Sequence, residues 1–224
     1  ELQTNTTYYG RVNSIINSSS SPWTTKITSA TLADIPVTVV STWSAVQYTS
    51  FTISWDKNTN PDAVTKYEVQ IGTVNGLGSG TILSSVTYNL SGTFTGLKTD
   101  TTYYAQVKTI NHYEIPTGWL PLGSTKTVQA GMPTNLVFST GSASVLAAVW
   151  NAPVPPGETY TLQVSSAFDF SYDLHESNVS GQTTQITGLQ ANTTYYGRVN
   201  SIINSSSSPW TAKITSATLA GIPA

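Results

Sequence analysis

The chain repeats its own beginning at its end. Residues 1–37 recur at 188–224, a shift of 187 positions, and only five of the 37 residues differ. Self-similarity of this kind at a fixed spacing is typical of repeat architectures. We therefore expect the sequence to be a stretch of a longer array, built from units that occur more than once.

Alternating apolar and polar residues predict β-strands. The alternation is clearest in 51–55, 66–71 and 159–164, and clusters of Gly, Pro, Asn and Ser separate such runs. A period of two is what a half-buried strand requires, because successive side chains point to opposite faces. No amphipathic helix longer than two turns is evident. Many short strands at regular spacing predict an all-β sandwich.

A second, shorter repeat lies inside the long one. The pattern Leu-x-x-x-Thr-Thr-Tyr-Tyr occurs at 97–104 and 189–196, and the opening copy around Tyr8 follows it closely. A Trp that closes an alternating run falls at Trp55 and again at Trp150, and a short Pro-containing junction ends at Pro36, Pro133 and Pro223. These markers recur every 90 to 97 residues, which is the length of one sandwich domain.

In their order and repetition, these residues resemble tandem fibronectin type III domains. In that family a core Trp ends strand B and a Thr-x-Tyr motif leads into strand F; the usual Pro-Gly before that Thr is replaced here by Thr99-Asp100 and Ala191-Asn192. The resemblance implies tandem immunoglobulin-like β-sandwiches. The core positions it implies are Trp55, Trp150, Tyr8, Tyr103, Tyr195, Leu97 and Leu189.

The repeat spacing predicts the domain map. We expect complete domains at 37–130 and 131–224, the latter ending in the start of the next linker, and only strands F and G of a preceding domain at 1–36. A lone hairpin is marginal in water and exposes an apolar face. Two coverings are open: the missing part of a longer chain, or exchange with the nearly identical hairpin of a neighbour, which would propagate as a filament.

Composition excludes several classes of function. Charged residues make up 9% of the chain, the net charge is −2, and no cluster of Lys and Arg suggests a nucleic-acid partner. No apolar run is long enough to predict a membrane span. There is no cysteine, so disulfide-stapled modules are excluded.

Candidate chemical groups are isolated in the sequence. His112 and His175 lie outside any metal or catalytic motif, and the densest acidic stretch, 168–176, is interpreted as a solvated loop. The glycines of 76–80 are interpreted as a hairpin turn, because no helix follows them. We therefore expect no catalytic residue, no metal site, no cofactor and no enzymatic activity.

Contact residues are expected near the F–G loops at 17–23 and 204–210. An aromatic ring there is either a platform for a sugar or a neighbouring subunit, or a cover for the end of its own sandwich. Arg-Gly-Asp, which some family members use, is absent. The candidate contact residues are Trp23, Trp210, Trp119, Tyr196 and Arg198. On the predicted strand F, Tyr196, Arg198 and Asn200 should share the face opposite Tyr195 and Val199, which is either a lateral contact or plain surface.

The sequence is interpreted as a structural repeat of an extracellular or cell-surface protein, of bacterial type. It would form a stalk, fibre or filament, with neighbouring copies or adjacent repeats of the same chain as partners. Two alternatives stay open. One is an accessory carbohydrate-binding module of a secreted glycan-degrading enzyme, with glycans as partners. The other is an adhesin that recognises a host protein.

Overall fold

The structure, a computed structural model, describes residues 1–77 and 83–221. In these ranges the regular secondary structure consists of β-strands, with no helix. Of the turn predicted at 76–80, only Gly76 and Leu77 fall within the described residues. The chain forms two compact units: Glu1–Thr95 with Thr102–Lys126, and Gly96–Thr101 with Thr127–Ala224.

The first unit contains a short hairpin and a sandwich. The hairpin strands are β1 (Thr7–Gly10), β2 (Ile15–Ile16), β3 (Ser19–Ser20) and β4 (Ile27–Ala30). The sandwich strands are β5 (Trp43–Ser44), β6 (Phe51–Ser54), β7 (Lys66–Gly72), β8 (Leu83–Thr87), β9 (Ser91–Phe94), β10 (Thr102–Ile110) and β11 (Leu120–Lys126).

The sandwich of the first unit has two antiparallel sheets. One has the order β5-β6-β9 and the other β11-β10-β7-β8. In β7 the buried side chains are Tyr67, Val69 and Ile71, which alternate with half-exposed ones. The same alternation buries Phe51 and Ile53 in β6, so the core lies between the two sheets.

The second unit has the same strand order. Its sheets are β12-β13-β16 and β15-β14-β17, and both β18 and β19 pair with β17. One apolar core lies between them and includes Leu146, Trp150, Leu162 and Val199. The strands are β12 (Thr134–Thr140), β13 (Val145–Asn151), β14 (Thr159–Ser165), β15 (Leu174–Val179), β16 (Thr183–Thr187), β17 (Thr194–Ile203), β18 (Ser206–Ser207) and β19 (Ile214–Ala217).

The residue before the Thr-Thr-Tyr-Tyr motif adopts a left-handed conformation in each copy. The φ angles are 41° at Asn5, 50° at Asp100 and 52° at Asn192. Asn and Asp tolerate this region better than other non-glycine residues, because their short polar side chains bond locally. Asn or Asp therefore takes the place of the glycine that the family resemblance implies at this position.

The tips of both terminal hairpins are tight two-residue turns. Asn17 and Ser18 have φ angles of 47° and 67°, and Asn204 and Ser205 have 46° and 62°. Two consecutive positive φ angles are what a type I′ turn needs, and its twist matches that of the flanking strands. The loops expected to be contact elements are therefore compact hairpin ends.

Hydrogen bonds hold the linker to the sandwich that follows it. The Thr109 hydroxyl donates to the Asp34 carbonyl at 2.5 Å, and the Asn60 amide both donates to that carbonyl and accepts from the Asp34 N–H. In the second unit the Ser201 hydroxyl donates in the same way to the Gly131 carbonyl at 2.6 Å. Both hydroxyl residues are fully buried, so each linker is fixed at one defined point.

A tyrosine hydroxyl closes the turn before β17. Tyr195 is fully buried, and its hydroxyl accepts a hydrogen bond from the Gln190 N–H at 2.9 Å. Tyr8 accepts the equivalent bond from the Gln3 N–H at 2.7 Å, yet Tyr8 is only half-buried. We expected Tyr8 in a core; it differs because β1 and β4 form a two-stranded sheet by themselves.

Removing the Tyr195 hydroxyl should destabilise the second unit. Tyr195→Phe removes the buried hydroxyl that accepts the Gln190 N–H, and we expect a loss of about 0.5–1.5 kcal/mol in the free energy of unfolding. Tyr8→Phe is the matched control, and it should cost less because water reaches that site. Urea denaturation of both variants measures the difference. Equal losses would contradict a role for burial.

Alkaline pH should destabilise the first unit. Burial, reinforced by the carboxylates of Asp56 and Asp62, raises the pKa of Tyr67 to about 12. The folded pKa thus exceeds the unfolded value of about 10, so the folded state holds this proton more tightly. The resulting stability is present below about pH 10 and is lost as pH rises toward 12. In urea denaturation across that range, the free energy of unfolding should fall less steeply with pH for Tyr67→Phe than for the wild type. The same pH dependence in both proteins would contradict the assignment.

Candidate interaction surface

Exposed apolar side chains are concentrated on the hairpin at 1–36. Val12 is 63% exposed and Ile16 is 70% exposed, whereas their sequence equivalents Val199 and Ile203 are 0% and 6% exposed. The same residues therefore lie in water in one copy and in a core in the other. The exposed large apolar residues of this hairpin and its linker are Leu2, Tyr9, Val12, Ile15, Ile16, Trp23, Ile27, Leu32 and Ile35.

The local structure of the two hairpins is nevertheless the same. The Val12 N–H donates to the Thr24 hydroxyl at 3.0 Å, and the Val199 N–H donates to the Thr211 hydroxyl at 3.1 Å. Strand β1 pairs with β4 in the register in which β17 pairs with β19. The hairpin at 1–36 thus has the same backbone pairing as the hairpin of the second unit, although no second sheet covers it.

In the second unit, strand β12 covers the hairpin. A Cβ atom added at Gly197 would lie only 2.2 Å from the Phe138 ring, so the ring rests directly on the glycine backbone. Met132–Leu136 lines one side of a groove of about 300 Å³, and Thr211, Ala212 and Ile214 line the other. Strand β12 therefore covers part of the surface that the hairpin would otherwise expose.

An open groove marks the same place on the hairpin at 1–36. It has a volume of about 580 Å³ and includes Gly10, Val12, Thr24 and Ile27. A Cβ atom added at Gly10 would meet only the Ile27 side chain, at 3.4 Å. The groove is thus the uncovered counterpart of the site that β12 occupies.

The three tryptophans predicted as contact residues are each stacked with a cation. Trp23 is 52% exposed and lies 4.5 Å from the Arg11 guanidinium. Trp210 and Trp119 are half-buried, at 4.5 Å from Arg198 and 4.2 Å from the Lys108 ammonium. The Arg–Trp pair forms in both hairpins, so it is a local property of the hairpin sequence.

Arg198 is the centre of a larger cluster. Its guanidinium lies over both the Phe170 ring, at 4.1 Å, and the Trp210 ring, at 4.5 Å, and donates twice to the Gln163 side-chain oxygen. Tyr196 contacts the exposed ring of Phe168 edge-on. Sequence reasoning missed both phenylalanines, because they flank Asp169 in a stretch interpreted as a solvated acidic loop.

Asn200 differs from its expected place on an exposed face. It alternates with Tyr196 and Arg198 along β17, but it is only 4% exposed. Its side-chain oxygen has no hydrogen-bond partner among the described residues. The face beyond Arg198 is therefore covered.

The histidines do not converge with acidic groups into a metal site. His175 contacts the Asp173 carboxylate at 3.0 Å, and His112 contacts the Thr7 hydroxyl at 3.1 Å. Burial acts to raise the pKa of Asp173, but hydrogen bonds from Ser166, His175 and Tyr195 together hold it below its usual range. Across 1–77 and 83–221, no group of three or more potential metal-ligating side chains comes together.

Residues 36–117 match the family model of the fibronectin type III domain. Residues 36–117 are a fibronectin type III domain. The strand order of the second unit repeats that of this domain, so the chain is all-β with tandem sandwiches. A comparison with curated proteins found no match. Within the described residues, no helix has the length and apolar character needed to cross a bilayer.

Two solved structures from chicken are similar to this chain. The FN1–FN3 domains of CNTN1 share 16% identity with it, over 97% of this chain and 77% of that one, with a TM-score of 0.40. A segment of two fibronectin type III domains from tenascin shares 15% identity, over 83% of this chain and 100% of that one, with a TM-score of 0.45.

The same substitution at equivalent positions of the two hairpins should have different effects on stability, because one position is covered and the other is exposed. Val199→Asp places a charge in the second sandwich core and should lower its free energy of unfolding by about 4 kcal/mol or more. Val12→Asp adds the same charge to an exposed position and should leave thermal unfolding unchanged, while reducing the binding of a dye specific for apolar surface. Similar destabilisation by both variants would mean that Val12 is covered in solution.

Proposed function

We propose that this chain is a non-enzymatic structural repeat of a long extracellular stalk, fibre or filament. The observation that carries the proposal is the recurrence of one hairpin sequence at 1–37 and 188–224, around a fibronectin type III domain. Near-identical repeats suit a protein that spaces or displays other parts, because each copy adds the same length. The partners are then adjacent repeats of the same chain or neighbouring copies.

The linker contacts support this mechanical role. In each unit, a buried hydroxyl donates a hydrogen bond to the linker carbonyl, from Thr109 of β10 in the first unit and from Ser201 of β17 in the second. Proline follows two positions later, at Pro36 and Pro133, and restricts the backbone on both sides of itself. A joint held in this way resists bending more than a Gly/Ser linker does.

The surface chemistry suits side-by-side packing of copies. Charged residues are 9% of the chain, so little electrostatic repulsion opposes the approach of a second copy. Ser, Thr and Asn supply the polarity instead.

Glycan binding is the less favoured role. It depended on Trp210 and Trp119, and a cation already occupies one face of each ring. Sugar stacking needs an open aromatic face, so at most one face of each ring is left. The structural role requires no such face.

The intact mass of the protein in its native source tests the proposal. We expect a band many times larger than the 23.9 kDa of this sequence, detected with an antibody against the 37–130 region and removed by protease treatment of intact cells. A protease-resistant band inside the cells would contradict the extracellular role. A band near 23.9 kDa would contradict the long array.

A further inference from the structure

We propose that the first sandwich selects the repeat that precedes it, through a notch that accepts asparagine at position 5 and rejects aspartate. The notch is formed by Thr65 and His112, and it holds the loop that leads into β1. This selectivity goes beyond a repeat that only spaces domains, because it gives the repeats a fixed order. The consequence for order rests on the proposed array, whereas the selectivity itself does not.

The side chain of Asn5 is fully enclosed in the notch. Asn5 is 0% exposed, its side-chain oxygen accepts from the His112 N–H at 3.0 Å, and its amide nitrogen donates to the Thr65 hydroxyl at 3.0 Å. A backbone N–H can only donate, so the oxygen faces His112 and the nitrogen faces Thr65. The carboxamide is therefore held in one orientation, with both ends bonded.

The Thr65 hydroxyl distinguishes an amide from a carboxylate. Its single hydrogen is donated to the Pro61 carbonyl at 2.8 Å, and Thr65 is only 1% exposed. The hydroxyl oxygen is thus left to accept from position 5. Asn supplies that hydrogen, whereas an ionised Asp has none to donate and would bring a charge into a site closed to water.

Further hydrogen bonds lie on either side of Asn5 in the sequence. The Thr4 hydroxyl donates to the Thr59 carbonyl at 2.8 Å, and the Thr7 hydroxyl bonds Nδ1 of His112 at 3.1 Å. These contacts are more exposed than those of Asn5, so they position the loop at the rim of the notch. The buried carboxamide is the group on which selection depends, because water cannot replace its partners.

The loop that carries Asn5 has two other copies in the chain. Residues 5–9 and 192–196 both read Asn-Thr-Thr-Tyr-Tyr, whereas residues 100–104 have Asp in the first position. The first residue of each copy has a positive φ, and its N–H bonds a backbone carbonyl in the same way. The backbone thus presents Asn and Asp alike. A domain of the second kind therefore fits before the first sandwich, and a domain of the first kind does not.

The second unit holds its preceding loop in a different way. By strand register, Asn204 stands where His112 stands in the first unit. The Asn204 amide donates to the Gly96 and Leu97 carbonyls at 2.6 and 2.8 Å, and Asp100 is exposed. Backbone carbonyls accept from Asn204 whichever residue stands at position 100. This loop therefore needs no asparagine, which confines the selection to the notch of the first sandwich.

Amide hydrogen exchange of the full chain tests the notch. Asn5→Asp converts the loop at 5–9 to the sequence of 100–104. It should speed exchange of the His112 N–H by about 10- to 100-fold, because the loop leaves the notch more often. The urea transition of the variant shows that the sandwiches stay folded. A His112 rate within about twofold of the wild type would overturn the proposal.

Asn192→Asp is the matched control for the loop itself. Asn192 has the same following residues and the same left-handed backbone as Asn5, but it is exposed. Exchange of the Thr193 N–H, which donates to the Thr218 hydroxyl at 3.1 Å, should therefore change by no more than about twofold. If this rate rises as much as that of His112 in Asn5→Asp, aspartate loosens the loop by itself and the proposal is wrong.

Thr65→Val removes the hydroxyl that distinguishes the amide and keeps the shape of the side chain. In this background the ratio of the His112 exchange rates with Asp and with Asn at position 5 should be about tenfold smaller than with Thr65 present. An unchanged ratio would show that Thr65 does not discriminate, and it would overturn the proposal. Either failure would leave the intact mass in the native source, and hence the structural role, untouched.

Discussion

Each sandwich depends on the packing of its strand β10 or β17 against the opposite sheet. In the second unit, Tyr195 and Val199 of β17 are fully buried against a core that includes Trp150 and Leu162. Burial of apolar side chains provides most of the favourable free energy of folding. The hairpin register, the tyrosine hydroxyl bond and the linker contact all surround this buried stripe, and they order the backbone that carries it.

The hairpins at 1–36 and 188–219 have nearly the same sequence, but only the second is packed against an opposite sheet. Both terminal hairpins have the same turn, the same threonine hydrogen bonds and the same Arg–Trp stack. Only one of them has an opposite sheet. Local interactions are thus sufficient to set the shape of the hairpin, while burial depends on residues that are far away in sequence.

Much of the fold could be predicted because its signals are local. Alternation in 66–71 predicted β7, and the recurring Trp and Thr-Thr-Tyr-Tyr markers predicted the sandwich and its family. The contact surface was predicted less well. Phe168 and Phe170 were overlooked because their stretch was interpreted from its acidic residues, and Asn200, placed on an exposed face by alternation, is buried by packing that alternation does not encode.

The sequence by itself determined the strands, the left-handed Asn and Asp positions, and the shape of the repeated hairpin. These follow from side-chain periodicity and local backbone preferences, which act over a few residues. Only the tertiary structure decided that Val199 is buried while Val12 is exposed, and that Gly197 lies under the Phe138 ring. Burial is a property of what lies opposite a side chain, and two segments that carry the same residues at these positions cannot by themselves encode different neighbours.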